Sequence, residues 1–337
     1  MRMCDIAKAA GVSTMTVSRA LQPNSSIAPA TRKAVLKVIE DMGYVPNQIA
    51  GSLSSQRSGF VAVLVPSLNN LHISETVLRL SEQLSARGIQ PLIGNTNYDS
   101  KTELALVRAF LARKPEAVVL TNDGHAKQLR DLLAKANVPV VEIWDLPDVP
   151  IQHVVGFSNR EAMHDLVTEL IASGYRRITY LGESDDEGTR GSSRRQGYLD
   201  AIAASGIDKL RICQVGRPPA KMSDGEAAFD LVMQNFPETD LIICVSDQLA
   251  FGVITTCQRR GIKVPEQIAV AGFGNFEISR VAVPDITTVA IDPAEIGVLT
   301  GDLVASLLSK QGARPSTAVT IQKVQTRTVL RASAPGR

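Results

Sequence analysis

Apolar and polar positions follow two different rhythms along this chain, and the change falls near residue 60. Before it, apolar residues are sparse and recur at helical spacing: Ile6, Ala7 and Ala10, then Val12, Thr16 and Val17 with Ala20 and Leu21. Gly11 lies between the two sets, where a residue tolerant of φ > 0 closes a helix. Ser13 is placed to cap the next helix through its side-chain oxygen. Two short helices joined by a glycine-containing turn of about 3–4 residues predict a helix-turn-helix, the unit whose second helix enters the major groove of DNA. The outward face of that second helix carries Thr14, Met15, Ser18 and Arg19, small or hydrogen-bonding groups suited to base edges and phosphates. An ordinary amphipathic helical hairpin shares the same spacing. A third helix is predicted over 30–42, opened by Pro29, with Val35, Leu36, Val38 and Ile39 turned inward. Gly43 ends it, and Tyr44 and Val45 are expected to pack back.

Residues 47–59 are polar and contain glycine, with only Ile49, Ala50 and Leu53 apolar. Composition alone makes them a flexible linker, since isolated helices under about 12–15 residues are marginal in water. From residue 60 the rhythm changes. The run FVAVLVP over 60–66 is continuously apolar, the mark of a strand buried on both faces of a parallel sheet. Helical patterns at 73–87, 100–113, 125–136, 160–173, 191–204, 224–235 and 247–260 then alternate with strands at 89–94, 117–121, 138–143, 177–182, 210–215, 240–245 and 267–272. Such alternation predicts α/β architecture, doubly wound parallel sheets with right-handed crossovers. The span is long for one sheet, so two lobes with a crevice between them are expected, and ligands in such folds bind beyond the carboxyl ends of the strands.

Charge sharpens this division. Of 36 cationic and 34 anionic side chains, seven and three lie in residues 1–58, leaving 29 and 31 for the rest. A small basic headpiece therefore precedes a mildly acidic body, as suits one module that faces phosphates. Cys4, Cys213, Cys244 and Cys257 are scattered, with no C-x-x-C pair, and read as small core residues of a reducing compartment. The first residues lack a signal-peptide stretch and no run approaches 18 apolar residues, so a cytoplasmic protein without membrane contact is expected.

The run D-I-A-x-A-A-G-V-S-x-x-T-V-S-R-A-L from Asp5, then T-R-K-x-V, then G-Y-x-P-N-x-x-A-x-x-L, resembles the lactose/galactose repressor family of bacterial transcription regulators. The likeness continues through Ser246-Asp247-x-x-Ala250-x-Gly252, Val264-Pro265 and Ala271-Gly272-Phe273, and so covers nearly the whole chain. Within the family, Trp144-Asp145, the run 155–159 and the run 272–278 look most like gluconate-operon repressors. The resemblance implies a helix-turn-helix headpiece (1–45), a hinge helix (46–58) and a two-lobed periplasmic-binding-protein-like sensor (59–337). One lobe would comprise 59–157 and 287–320, the other 158–286 and 321–331.

The same resemblance implies a recognition helix at 14–21, with Thr14 and Met15 at base-reading positions and Ser13, Thr16, Ser18 and Arg19 anchoring phosphates or bases. Tyr44, Asn47, Ala50 and Leu53 complete the expected DNA-binding set. The hinge would order only when two protomers meet over the minor groove, with Leu53 wedged between central base pairs; unstacking costs a few kcal/mol per step and is offset by the bent contact it permits. Two positions depart from the family. Arg2-Met3 replaces a capping pair before the first helix, so either Asp5 stands in or the true start lies upstream, and Gln22 replaces a frequent asparagine.

For the effector, the resemblance points to Arg194, and strand ends at the crevice add Ser67, Tyr98 and Trp144, with Ser246, Asp247 and Asn275 from the second lobe. Asp247 could equally be only a helix cap, and the single tryptophan either a sugar platform or a core residue. Many sugar-binding relatives carry aspartate after the aromatic of this region; Gly274 and Asn275 remove that charge. An arginine with fewer acids suits an anionic ligand, because a buried carboxylate must be paired. The expected partners are therefore operator DNA, a sugar acid such as gluconate, and a second copy of the chain in a homodimer, with no cofactor. A neutral-sugar or corepressor-dependent regulator is the alternative. A sugar-binding transport receptor would need a signal peptide and no basic headpiece. An enzyme finds no support: His72, His125, His153 and His164 show no metal spacing, and neither a G-x-S-x-G elbow nor a phosphate loop follows a strand. The run Asp185-Asp186-Glu187 reads as a solvated loop, and the tail 331–337 shows no heptad pattern that would favour a tetramer.

Overall fold

A computed structural model describes residues 1–21, 26–45, 58–121, 124–184, 190–309 and 319–336. Gln22, Asn47, Ala50, Leu53 and the run Asp185-Asp186-Glu187 lie outside the described residues. The chain forms two compact units, 1–58 and 59–337.

In the first unit, helices Met3–Ala9, Thr14–Ala20 and Pro29–Asp41 enclose Ile6, Val17, Ala20 and Val35, all fully buried. The backbone N–H of Arg2 donates to the Asp5 carboxylate at 2.8 Å, the returning half of a capping box, while among the described residues no side chain caps the first-turn N–H groups of that helix. Gly11 takes φ +65° in the turn, and the N–H of Val12 reaches back to the Ala7 carbonyl at 3.0 Å. The Ser13 hydroxyl accepts from the N–H of Thr16 at 3.1 Å and caps the second helix. Arg32 Nε donates to the Ala20 carbonyl, tying the third helix to the end of the second. Two inward expectations are corrected. Leu36 and Val45 are exposed, since this core is small enough for Val35, Val38, Ile39 and Tyr44 to close it.

In the second unit, strand β1 (Phe60–Val65) pairs in parallel with β2 (Gln90–Asn95) on one side and β3 (Val118–Thr121) on the other. The sheet continues through β4 (Val140–Ile143) and β5 (His153–Gly156) to β11 (Ile321–Lys323). A second parallel sheet repeats this winding. Its first strand β6 (Ile178–Gly182) lies between β7 (Ile212–Gln214) and β8 (Leu241–Cys244), and β9 (Ala269–Ala271) follows β8. The order thus reverses next to β1 and next to β6, which places a crevice at the carboxyl ends of each sheet. Strand positions such as Val61, Val63, Val119, Ile242 and Val270 are fully buried, as the continuous apolar runs require.

The lobe boundaries expected from the sequence need correction. Strand β10 (Thr288–Ala290) pairs with β12 (Arg327–Val329), and Thr287 bridges Ala271, so both belong with the second sheet. Strand β11, expected in the second lobe, pairs with β5 of the first. Three-residue strands carry too little alternation to show their sheet in sequence. Between them, helix Pro293–Ser309 returns to the first lobe and packs on helix Leu71–Ser85. The approach is close: a Cβ on Gly297 would lie 2.5 Å from the Thr76 carbonyl oxygen.

Candidate functional site

Two regions bring the expected residues together. On the first unit, Ser13, Thr14, Met15 and Arg19 are exposed on the second helix, and Thr16, Ser18 and Tyr44 are half-buried beside them. Met15 is 64% exposed although it is a large apolar side chain. In a domain with so small a core, an apolar residue held outward at the start of a capped helix makes contact surface and no internal packing. Ser13 and Thr16 hydroxyls lie 2.9 Å apart, which fixes the amino end of that helix.

The second region is a cavity of about 80 Å³ within the larger unit. Tyr98 and Trp144, which follow strands of the first lobe, line it together with His72 near the start of helix Leu71–Ser85. From the second lobe come Arg190 and Arg194 of helix Arg190–Ser205, with Ser246, Phe273 and Phe276. Tyr98 also borders an adjoining cavity of about 280 Å³, lined by Thr96, Asp99, Ser100 and Thr121.

Arg194 is held on three sides. Its Nε donates to Asn159 Oδ1 and its Nη1 to the Val245 carbonyl, both at 2.8 Å, and its guanidinium lies 4.0 Å from the Phe273 ring centre. Burial, and then the neighbouring Arg190, push its pKa down to about 10. Arg190 sits over the Trp144 ring at 5.7 Å. His72 lies tilted against Phe276 with ring centres 3.7 Å apart, and burial followed by the charges of Arg194 and Arg190 lowers its pKa to about 4. The imidazole is thus neutral at physiological pH. Glu183 is the carboxylate on the cavity wall, and it accepts from the N–H of Ala220 at 2.8 Å. Among the described residues, the cavity is thus lined by two arginines, one carboxylate and a neutral histidine.

Trp144 has φ +78°, a conformation that bulky residues rarely adopt. Its backbone N–H donates to the Val155 carbonyl at 3.2 Å, and its own carbonyl accepts from Asn159 Nδ2 at 3.0 Å. Asn159 therefore orients both the strained tryptophan and Arg194.

Four of the seven effector residues expected from the sequence, Tyr98, Trp144, Arg194 and Ser246, line the cavity. Three do not. The Ser67 hydroxyl accepts from the N–H of Asn69. Asp247 is fully buried behind the wall, accepting from Thr288 Oγ1 at 2.6 Å and from the N–H of Phe276 at 2.8 Å. Its pKa is raised to about 6 by burial, and its role is to fix the loop that carries Phe276. Asn275 turns to Arg331, whose Nη2 donates to its Oδ1 at 2.6 Å. Of the pair Gly274 and Asn275, only Gly274 lines the cavity. Sequence reasoning missed His72, Arg190 and Phe276, which start a helix or sit in a loop and end no strand.

Comparison with known proteins agrees with the headpiece and the two-sheet α/β fold. Residues 2–47 match the family described as bacterial regulatory proteins, lacI family, and residues 167–334 match a periplasmic binding protein-like domain. The transcriptional regulator IdnR of Escherichia coli is 32% identical over 306 residues, covering 90% of each chain. Among solved structures, a LacI family transcriptional regulator from Silicibacter pomeroyi shares 43% identity with a TM-score of 0.78, over 82% of this chain and 100% of that one. The transcription regulator GntR from Chromobacterium violaceum shares 34% identity with a TM-score of 0.74, over 82% of this chain and 99% of that one.

Proposed function

The chain belongs to the lacI family of bacterial regulatory proteins, and from that premise we propose that it is a cytoplasmic repressor released from its operator by a sugar acid of the gluconate class. It is a DNA-binding transcriptional regulator and not an enzyme. As a homodimer it would bind a pseudo-palindromic operator, with Thr14 and Met15 reading bases and Ser13, Thr16, Ser18, Arg19 and Tyr44 holding the backbone. Asn47, Ala50 and Leu53 keep the hinge role that the family resemblance gives them. Exposed Leu71, Leu78, Leu92 and Ile93 on the first lobe, and Met222, Val281 and Val283 on the second, supply the apolar surface that a dimer would cover.

The observation that carries the ligand class is the pair Arg190 and Arg194 at a cavity whose lining carboxylate, Glu183, is already engaged. A carboxylate on the ligand completes that charge balance through charge-assisted hydrogen bonds. A neutral hexose offers the two guanidinium groups only uncharged acceptors, whose hydrogen bonds are about half as strong. Because residues of both lobes line the cavity, a bound ligand changes the relation between lobes, and a switch of about 100-fold in operator affinity needs only about 2–3 kcal/mol of coupling.

A thermal-shift panel of sugars and sugar acids tests the reading. Ligand at about 100 times its dissociation constant stabilises the folded state by about 2.7 kcal/mol. D-Gluconate or a related aldonate is expected to raise the melting temperature while D-glucose does not. Stabilisation by the neutral hexose alone would overturn the reading in favour of a neutral-sugar regulator.

A further inference from the structure

Two buried ring nitrogens, each on a residue that lines the cavity, are left unmatched among the described residues. Trp144 Nε1 and His72 Nδ1 have no hydrogen-bond partner among the described residues, although Trp144 is 3% and His72 9% exposed. Both residues line the same cavity, and both come from the first lobe. Buried polar groups in folded proteins are almost always paired, so two orphans in one cavity point to a ligand that supplies their partners.

Both rings are closely packed by their neighbours. The Trp144 backbone is fixed by its bonds to Val155 and Asn159, Arg190 lies over the indole at 5.7 Å, and Phe157 meets it edge-on at 6.1 Å. His72 is clamped against Phe276. With a guanidinium already over the indole, what Trp144 offers a ligand is its N–H. That group only donates, so the atom opposite it must accept. A neutral imidazole nitrogen either donates or accepts, depending on tautomer. A hydroxyl group answers both nitrogens in any tautomer, because it donates and accepts. The arginine pair, on the second lobe, is the complementary place for a carboxylate.

We propose that Trp144 Nε1 and His72 Nδ1 form the hydroxyl-reading half of the ligand site, binding chain hydroxyls of a polyhydroxy carboxylate whose carboxylate lies on Arg190 and Arg194. The proposal rests on the sugar-acid reading above and adds which residues distinguish a polyol chain from a plain carboxylic acid. It also divides the ligand between lobes. The first lobe reads hydroxyls and the second reads charge, so one molecule ties the two together.

Trp144 is the only tryptophan in the chain, so a protein labelled with ¹⁵N-tryptophan gives a single indole resonance. D-Gluconate is titrated into the full-length protein while this resonance is followed, and the affinity is measured in parallel by calorimetry. The indole proton is expected to move downfield along the calorimetric saturation curve, and His72→Phe, which keeps the ring on Phe276, to weaken D-gluconate roughly five- to tenfold. The same resonance reports whether the variant remains folded. Saturation with D-gluconate that leaves the indole proton in place removes Trp144 from the site, and unchanged affinity in folded His72→Phe removes His72. If the unsubstituted protein binds no aldonate, the sugar-acid reading itself fails and this inference with it.

Discussion

Replacing Arg194 by methionine separates ligand binding from folding. The side chain keeps its stem over Phe273 and loses its charge. In the unliganded protein two effects oppose each other. Burial beside Arg190 holds the Arg194 pKa at about 10, which at neutral pH amounts to about 3 kcal/mol against keeping the charge there. The bonds to Asn159 and Val245 act the other way, at about 1.5–3 kcal/mol each for a charged donor. The variant is therefore expected to lie between equal stability and a loss of about 3 kcal/mol, or at most about 6–12 °C in melting temperature for a unit of this size. Ligand affinity should fall about 10–150-fold, the worth of a charge-assisted contact. At a D-gluconate concentration 100 times the original dissociation constant, the unsubstituted protein gains about 2.7 kcal/mol, and a variant weakened 100-fold gains about 0.4 kcal/mol. Differential scanning fluorimetry with and without D-gluconate reads both quantities. An Arg194→Met protein that keeps the full ligand-induced shift would refute the placement of the carboxylate on this residue.

Other expectations follow from single positions. Asp247 has a folded-state pKa of about 6, above its unfolded value near 3.8, so its contribution to stability is complete below about pH 4 and is lost as pH rises through 6, by up to about 3 kcal/mol. Denaturant unfolding from pH 4 to 7 should show that decline, and Asp247→Asn should lack it; parallel profiles would contradict the assignment. A Cβ on Gly197 would lie 2.1 Å from the Arg160 carbonyl oxygen, so Gly197→Ala must push helix Arg190–Ser205 away from helix Asn159–Ala172. It should cost more than about 3 kcal/mol, in the range of severe overpacking; an unchanged melting temperature would show that the crossing yields easily. Thr14→Ala with Met15→Ala should weaken binding to cognate DNA in gel-shift titrations while leaving the D-gluconate thermal shift intact. A loss of both would show that the two residues act through folding.

Much of the fold could be read from the chain because its strands are buried on both faces. Runs such as 60–66 and 240–245 stand out from any background, and the helices between them end at Gly88, Gly174 or Gly261, each at positive φ. Elements without such a signal escaped. Strands β10, β11 and β12 are three residues long, and helix Pro293–Ser309 carries further apolar residues, Val298, Leu299 and Ala305, outside its buried face, which blurs its periodicity. The site was legible in the same uneven way. Residues that end strands or carry the family pattern, Tyr98, Trp144, Arg194 and Ser246, do line the cavity. Asp247 follows Ser246 directly, yet one faces the cavity and the other the core, because neighbouring residues at a strand-to-helix turn point in different directions. His72 and Arg190 carry no strand signal. Their importance comes from the unmatched ring nitrogen of His72 and from the place of Arg190 on the cavity wall, which only the packed structure discloses.

A ligand-released repressor requires coupling between the cavity and DNA. A fluorescent pseudo-palindromic duplex, selected by the protein itself from a random pool, is titrated with full-length protein and followed by anisotropy, with and without saturating D-gluconate. Affinity about 100-fold weaker in the presence of D-gluconate, with no change in D-glucose, is the predicted result. An isotherm indifferent to every aldonate that the cavity binds would contradict it.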